Sequence, residues 1–170
     1  MKILAIVLAA LGATGGLRYG KSSSGVAVAL RASDRAEVDG ALPVAVVVRN
    51  VSGHRLTIKP TVEVVVSYPI PGERGCARPA SATRRIVVRG AADDGVTIPA
   101  GDVWVEVADL QAMSAKAGGR LPAGFYKLQA SVSGEGRGWA GAAGSERARV
   151  TVEGKIPAGM CAENPGWDAF

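Results

Sequence analysis

Two stretches of the chain carry the spacing of phosphate-binding loops. Gly15-Gly16-Leu17-Arg18-Tyr19-Gly20-Lys21-Ser22 matches G-x-x-x-x-G-K-[ST], in which backbone N–H groups and the lysine cradle phosphates and a helix opens directly afterwards. Here Ser23-Ser24-Gly25 leads into Val26-Ala27-Val28-Ala29-Leu30, an alternating run that reads as a strand. The nearest apolar strand ending in an acid, Val103 to Asp109, is broken by Glu106, and nothing downstream alternates strands with helices as a nucleotide-binding α/β fold requires. Gly136-Arg137-Gly138-Trp139-Ala140-Gly141 is a formal G-x-G-x-x-G. A dinucleotide fingerprint must open a helix, whereas this one precedes a strand from Arg147 to Glu153 and reads as a hairpin loop. Neither motif predicts a nucleotide, and no cofactor is expected.

Catalytic and metal chemistry find equally little. His54 is the single histidine and follows Gly53 at a hairpin tip; a Ser–His–Asp triad needs it to converge with a nucleophile and an acid, and no G-x-S-x-G elbow is present. Glu63, Glu106 and the Asp93-Asp94-Gly95 turn supply carboxylates without a glycosidase or Ca²⁺ motif around them. Two cysteines and one histidine fall short of the four ligands of a structural zinc site. The chain is read as a non-enzyme. Cys76 and Cys161 are expected to pair in an oxidising compartment, where so long a loop corresponds to about 4–5 kcal/mol in the chain-entropy model. Asn50-Val51-Ser52 is a glycosylation sequon.

Charge points to partners only in outline. Twenty Lys and Arg against fifteen Asp and Glu give +5, and the pI is about 9.6. The basic residues are dispersed, and three Trp, three Tyr and two Phe are few for stacking on bases, so nucleic acid is not an expected partner. Arg84, Arg85, Arg89, Arg147 and Arg149 would form one basic sheet face if their strands were neighbours. Its uses would be an anionic partner or lipid headgroups; the plainer alternative is a soluble outer face that protects an edge. Trp139 in its glycine-rich loop, and Trp167 with Phe170 near the C-terminal end, are candidate interface anchors; the rival reading is that this tail folds back and covers a sheet edge.

These residues must be held by short strands. A 170-residue chain suffices for one domain with a proper core, and its 48% hydrophobic content excludes wholesale disorder. Strand signals recur at Val26–Leu30, Val44–Asn50, Leu56–Lys59, Thr61–Tyr68, Thr83–Arg89, Val103–Val107, Phe125–Ser133 and Arg147–Glu153, with turn residues between them. Alternation places Val62, Val64 and Val66 on one face, and Val150 and Val152 opposite Arg147 and Arg149. One helix is expected, capped by Asp109 and stopped by Gly118-Gly119. Pro69 to Ser81 is predicted to be a long loop.

Met1-Lys2 followed by apolar Ile3 to Leu11 and the small residues Gly12 to Gly16 has the order of a secretory signal. If retained, the stretch is too short to span a bilayer and would lie at an interface, giving peripheral membrane contact through residues 3–17. The predicted organisation is residues 1–16 as signal or short apolar anchor, 17–25 as linker, 26–153 as an antiparallel immunoglobulin-like β-sandwich of about seven strands, and 154–170 as tail.

Three turns also carry a resemblance. Leu121-Pro122-Ala123-Gly124-Phe125-Tyr126 matches an L-x-x-G-x-Y lead-in to a late strand, Ile98-Pro99-Ala100-Gly101-Asp102 an L-x-P-G-[DE] turn, and Asn50-Val51-Ser52 the turn after a Val-rich strand. Their order resembles the BsuPI-type proteinase-inhibitor-like group of exported bacterial sandwich domains, over about Val26 to Glu153. The resemblance implies a fold and a binding role rather than a ligand; the Cys76 segment and Cys161 tail depart from it, so no inhibitory loop is carried over. The expected function is a non-catalytic exported module, periplasmic or extracellular. It would serve as an accessory subunit of a larger extracytoplasmic or membrane-attached assembly, with other protein subunits as partners. A secreted inhibitor or chaperone-like sandwich is the alternative.

Overall fold

Strands with valine or isoleucine at alternate positions bury one side chain in two, and two such sheets close on each other when those faces meet. The computed structural model, which describes residues 17–90, 93–168 and 170, has ten strands among them: β1 (Val26–Ala32), β2 (Arg35–Glu37), β3 (Pro43–Asn50), β4 (Leu56–Gly72), β5 (Gly75–Arg89), β6 (Val96–Ile98), β7 (Val103–Asp109), β8 (Gly124–Arg137), β9 (Gly141–Gly144) and β10 (Ala148–Glu153). A smaller sheet has the order β1-β3-β7, and a larger one β2-β10-β8-β4-β5, with β6 on β4 and β9 on β8. Val28, Val46 and Val48 of the first share one core with Val62, Val64, Val66, Ile86, Leu128, Val132 and Val150 of the second. The all-β two-sheet reading holds. The antiparallel rule has one exception, β2 against β10, which pair in parallel.

Strands β1 and β3 of the smaller sheet are apolar on both sides. Ala27, Ala29, Ala45 and Val47 lie outside the shared core cluster yet are buried, so β1 and β3 are near-continuous hydrophobic runs. The larger sheet alternates in the ordinary way: Val150 and Val152 face in while Arg147 and Arg149 are exposed.

The greatest departure from the sequence reading is at residues 69–81. The expected loop is the distal half of a β-hairpin: Pro69 stands opposite Ser81, Ile70 opposite Ala80, and Gly72 opposite Gly75. Proline and glycine are loop signals, but they are tolerated at edges and irregular pairing, and the register indeed shifts between Ile70 and Gly72. Pro60 likewise does not break β4. It falls between the β6 pairing at Leu56–Ile58 and the β5 pairing from Val62, where no neighbour on that side requires its missing N–H.

Helix α1 (Leu110–Lys116) is where the caps predict it: Asp109 accepts from the Gln111 N–H, and Gly118 and Gly119 leave with φ of +121° and +126°. Residues 17–25 run beside β1, with Tyr19 bridged to Ala29 and the Gly20 N–H donating to Val28 O at 2.9 Å. The predicted signal or anchor at residues 1–16 lies outside the described residues. No helix among the described residues is long and apolar enough to cross a membrane.

Candidate functional site

Neither phosphate-type motif opens a helix among the described residues. After Lys21-Ser22 comes a turn at Ser23–Val26 and then β1, not a helix, so nothing presents a helix N-terminus to a phosphate. Gly136 of the second motif, with Gly134 just before it, serves backbone contact instead. A Cβ on Gly134, two residues before it, would lie 2.8 Å from Lys59 O, and one on Gly136 would collide with Thr57 O. These glycines let β8 lie close against β4. Gly138 to Ala140 form the β8–β9 connection.

Trp139 is a correction to the expected surface anchor. It is 3% exposed, belongs to the core cluster, and its Nε1 donates to Ser23 O at 3.1 Å. A flexible glycine-rich loop leaves a large ring free to turn inward, and burying it outweighs exposing it. It closes one end of the sandwich and ties residues 17–25 to the β8–β9 turn.

The five arginines do not make one face. β10 and β5 are separated in the sheet by β8 and β4, so Arg147 and Arg149 stand about 14 Å across the sheet from the β5 arginines, at roughly 4.8 Å per strand. Arg84 donates to Ser114 O and Gly119 O, both at 2.9 Å, and so satisfies carbonyls at the end of α1. Arg89 is turned inward by a register shift that sets it opposite Val62. There it pairs with Glu106 at 3.1 Å and lies over the Trp104 ring at 5.4 Å, linking the edges of the two sheets. Arg85 is exposed and reaches Glu63 at 3.6 Å. Position along a strand does not reveal which arginine caps a helix or bridges sheets, because those partners are distant in sequence.

Cys76 and Cys161 are bridged, with Cα atoms 5.5 Å apart. The bridge joins the outer part of the β4–β5 hairpin to the tail, and the Cys161 N–H also donates to Pro69 O at 3.2 Å. A small cavity of about 250 Å³ lies at this junction, between Tyr68, Ile70 and Arg84 on the hairpin and Pro122, Tyr126 and Met160 beyond it. Tyr126 anchors its floor: the hydroxyl donates to Pro122 O at 2.6 Å, the geometry of the tyrosine corner found in immunoglobulin-like sandwiches. Burial, with Tyr68 beside it, pushes the Tyr126 hydroxyl well above the usual tyrosine range, against the lowering effect of Arg84.

Past Cys161 the tail returns across the outer face of β8 and β10. Trp167 packs edge-on against Phe125 at 6.3 Å and near Phe170 at 6.2 Å, and Arg149 lies over its ring at 5.7 Å. Lys127 donates to Phe170 O and sits over the Phe170 ring. Both tail aromatics remain half-buried. The tail does fold back, but onto the outer face of the internal strands β8 and β10 rather than over a sheet edge as expected.

Arg149 and Arg147 border a second, polar groove of about 470 Å³ at the side of the sandwich, with Arg18, Arg31, Asp34 and Glu146. His54 is exposed, and its Nε2 lies 3.4 Å from Gly138 O. Among the described residues no group of three or more His, Cys, Asp or Glu side chains is placed to hold a metal.

No family model matches the chain, and no curated protein does. Solved structures give distant likenesses. Spo0M, the sporulation control protein of Bacillus subtilis, aligns at 13% identity with a TM-score of 0.46 over 77% of this chain, which spans half the length of Spo0M. The CARDB domain of a Pyrococcus furiosus protein, solved with di-metal ions, aligns at 14% identity and a TM-score of 0.38 over 80% of this chain and 90% of that one. At these scores neither likeness carries an argument about fold or function.

Proposed function

We propose that this chain is a non-catalytic exported binding or structural module, an accessory subunit of a larger extracytoplasmic or membrane-attached protein assembly. The observation that carries the reading is the stapled hairpin. Its outer half, residues 69–81, is braced by a disulfide and by the Cys161–Pro69 hydrogen bond. A two-stranded ribbon is marginal by itself; fixing it to the tail presents a rigid edge strand, β5, at low ordering cost on binding. The disulfide supports an oxidising, extracytoplasmic location. The turn pattern similar to the BsuPI-type group supports a binding role, and Trp167 and Phe170 remain part-exposed candidates for contact.

A secreted inhibitor or chaperone-like sandwich is the second reading. It would present the same hairpin, now as paired β-structure rather than an open loop, to a protease or client. Native co-purification separates the two. Stoichiometric recovery with membrane-complex subunits supports the accessory role, while a free monomer that slows proteases overturns it in favour of the inhibitor.

A further inference from the structure

The polar groove at the side of the sandwich gathers arginines from three separate parts of the chain. Arg18 comes from the segment beside β1, Arg31 from β1, Arg147 from the connection before β10, and Arg149 from β10. Asp34 and Glu146 are the acids on its walls. No carboxylate among the described residues lies within ion-pair distance of Arg18 or Arg147, and Arg149 reaches only Asp168, at 3.6 Å and fully exposed. A smaller pocket of about 210 Å³ continues past Arg147 and Arg149 to Lys127, Trp167 and Asp168. Burial first, then Arg147, hold the Lys127 ammonium below the usual lysine range, with Arg149 adding to this and Asp168 opposing it.

We propose that this groove is a docking site for the phosphates of anionic lipid headgroups. The proposal deepens the membrane-attached form of the reading above and rests on it. Guanidinium groups bind phosphate oxygens in forked pairs. The neighbouring Trp167 ring is amphipathic, the type of side chain enriched where bilayer meets water. Arg18 also follows directly on an uncharged stretch that contains the apolar run Ile3 to Leu11. One apolar segment gives only marginal membrane attachment, and an adjacent basic patch is the usual second signal.

The test is sedimentation of the full chain with vesicles of phosphatidylcholine alone or mixed with phosphatidylglycerol. Binding is expected to favour the anionic vesicles and to weaken from low salt to about 0.5 M, where screening is short-ranged. The double variant Arg18→Gln, Arg147→Gln should lose about 25-fold in affinity, at roughly fivefold per surface arginine. Arg147→Lys keeps the charge but loses the fork, and should bind between the parent and Arg147→Gln. Arg85→Gln, an exposed arginine at the far side of the sheet, removes one charge and should leave affinity unchanged, against about a fivefold loss for Arg147→Gln alone; unfolding midpoints check that all variants fold. Equal binding to neutral vesicles, or an equal loss in Arg85→Gln, overturns the proposal. Inorganic phosphate binding that needs Arg147 without any preference for anionic vesicles overturns the lipid source. Native co-purification reads partner subunits rather than lipid, so failure of the assembly reading stays separate from failure of the groove.

Discussion

The side-chain amide of Asn50 donates to the carbonyl of Pro99 at 3.0 Å, joining two turns 49 residues apart. The same nitrogen donates to Ile98 O at 3.0 Å and His54 O at 2.8 Å, and Oδ1 accepts from the Ser52 N–H and hydroxyl. The backbone joins in: the Asn50 N–H donates to Asp102 O and the Gly101 N–H to Asn50 O. Gly101, at φ +77°, makes the second turn possible without side-chain strain. Two turns noticed separately in the sequence are therefore one hydrogen-bonded unit around a fully buried amide.

Asn50→Ala should therefore cost about 1–3 kcal/mol: the Ile98 carbonyl loses this buried donor and the Ser52 N–H its acceptor, while Pro99 O keeps the Asp102 N–H and His54 O the Ser52 hydroxyl. Urea unfolding of the variant beside the parent measures it. Expression in a glycosylating host should leave the folded protein's mass unchanged at this sequon, because Nδ2 is enclosed. A glycan on Asn50 in a folded, disulfide-bonded product would contradict that.

Replacing both cysteines with serine should lower stability by up to about 4–5 kcal/mol, the chain-entropy value for a separation of 85 residues. The first loss should be local. Protease cleavage is expected within residues 154–170 and near the hairpin tip at Glu73-Arg74, before the sandwich core is cut. Peptide mapping over a digestion time course checks the order.

Tyr126 gives a pH dependence of defined sign. Its hydroxyl ionises at higher pH in the folded state than the ordinary value of 10.0, so above about pH 10 the unfolded chain binds fewer protons and stability falls as pH rises. Below that value the effect vanishes. Lys127, lowered by burial, acts oppositely as it titrates, so comparison with Tyr126→Phe isolates the tyrosine. The variant should show a shallower loss above pH 10. It should also cost about 1 kcal/mol at neutral pH for the bond to Pro122 O. Tyrosinate absorbance and unfolding midpoints across pH 9–12 read both.

Trp139 and Trp167 should separate cleanly. Trp139→Ala should destabilise by about 3–5 kcal/mol as a core truncation, and Trp167→Ala by far less, since that ring is half-buried on the outer face. In the parent, acrylamide should quench the Trp167 emission more readily than that of Trp139. Fluorescence of the two single-tryptophan-loss variants provides the comparison.

Much of the architecture is local and was legible before folding. Alternation of Val62, Val64 and Val66 specifies an inward face whatever the partner strand, since side chains in a strand repeat every two residues. Asp109 and Gly118-Gly119 bound α1 through their own backbone preferences, and the paired cysteines followed from their even number and the expected export. Other features depend on residues far apart in sequence. Pro69 to Ser81 carries loop residues, yet the strand across the hairpin and the Cys161 tail make it sheet. Trp139 stands among glycines, which say only that the loop can turn; the room beside Ser23 decides that it turns inward. Arg84, Arg89 and Arg149 are alike along the chain, and differ because one meets a helix end, one meets Glu106 and Trp104, and one borders the lateral groove. Periodicity and caps are short-range properties, whereas burial, ion pairing and grooves arise where distant segments meet.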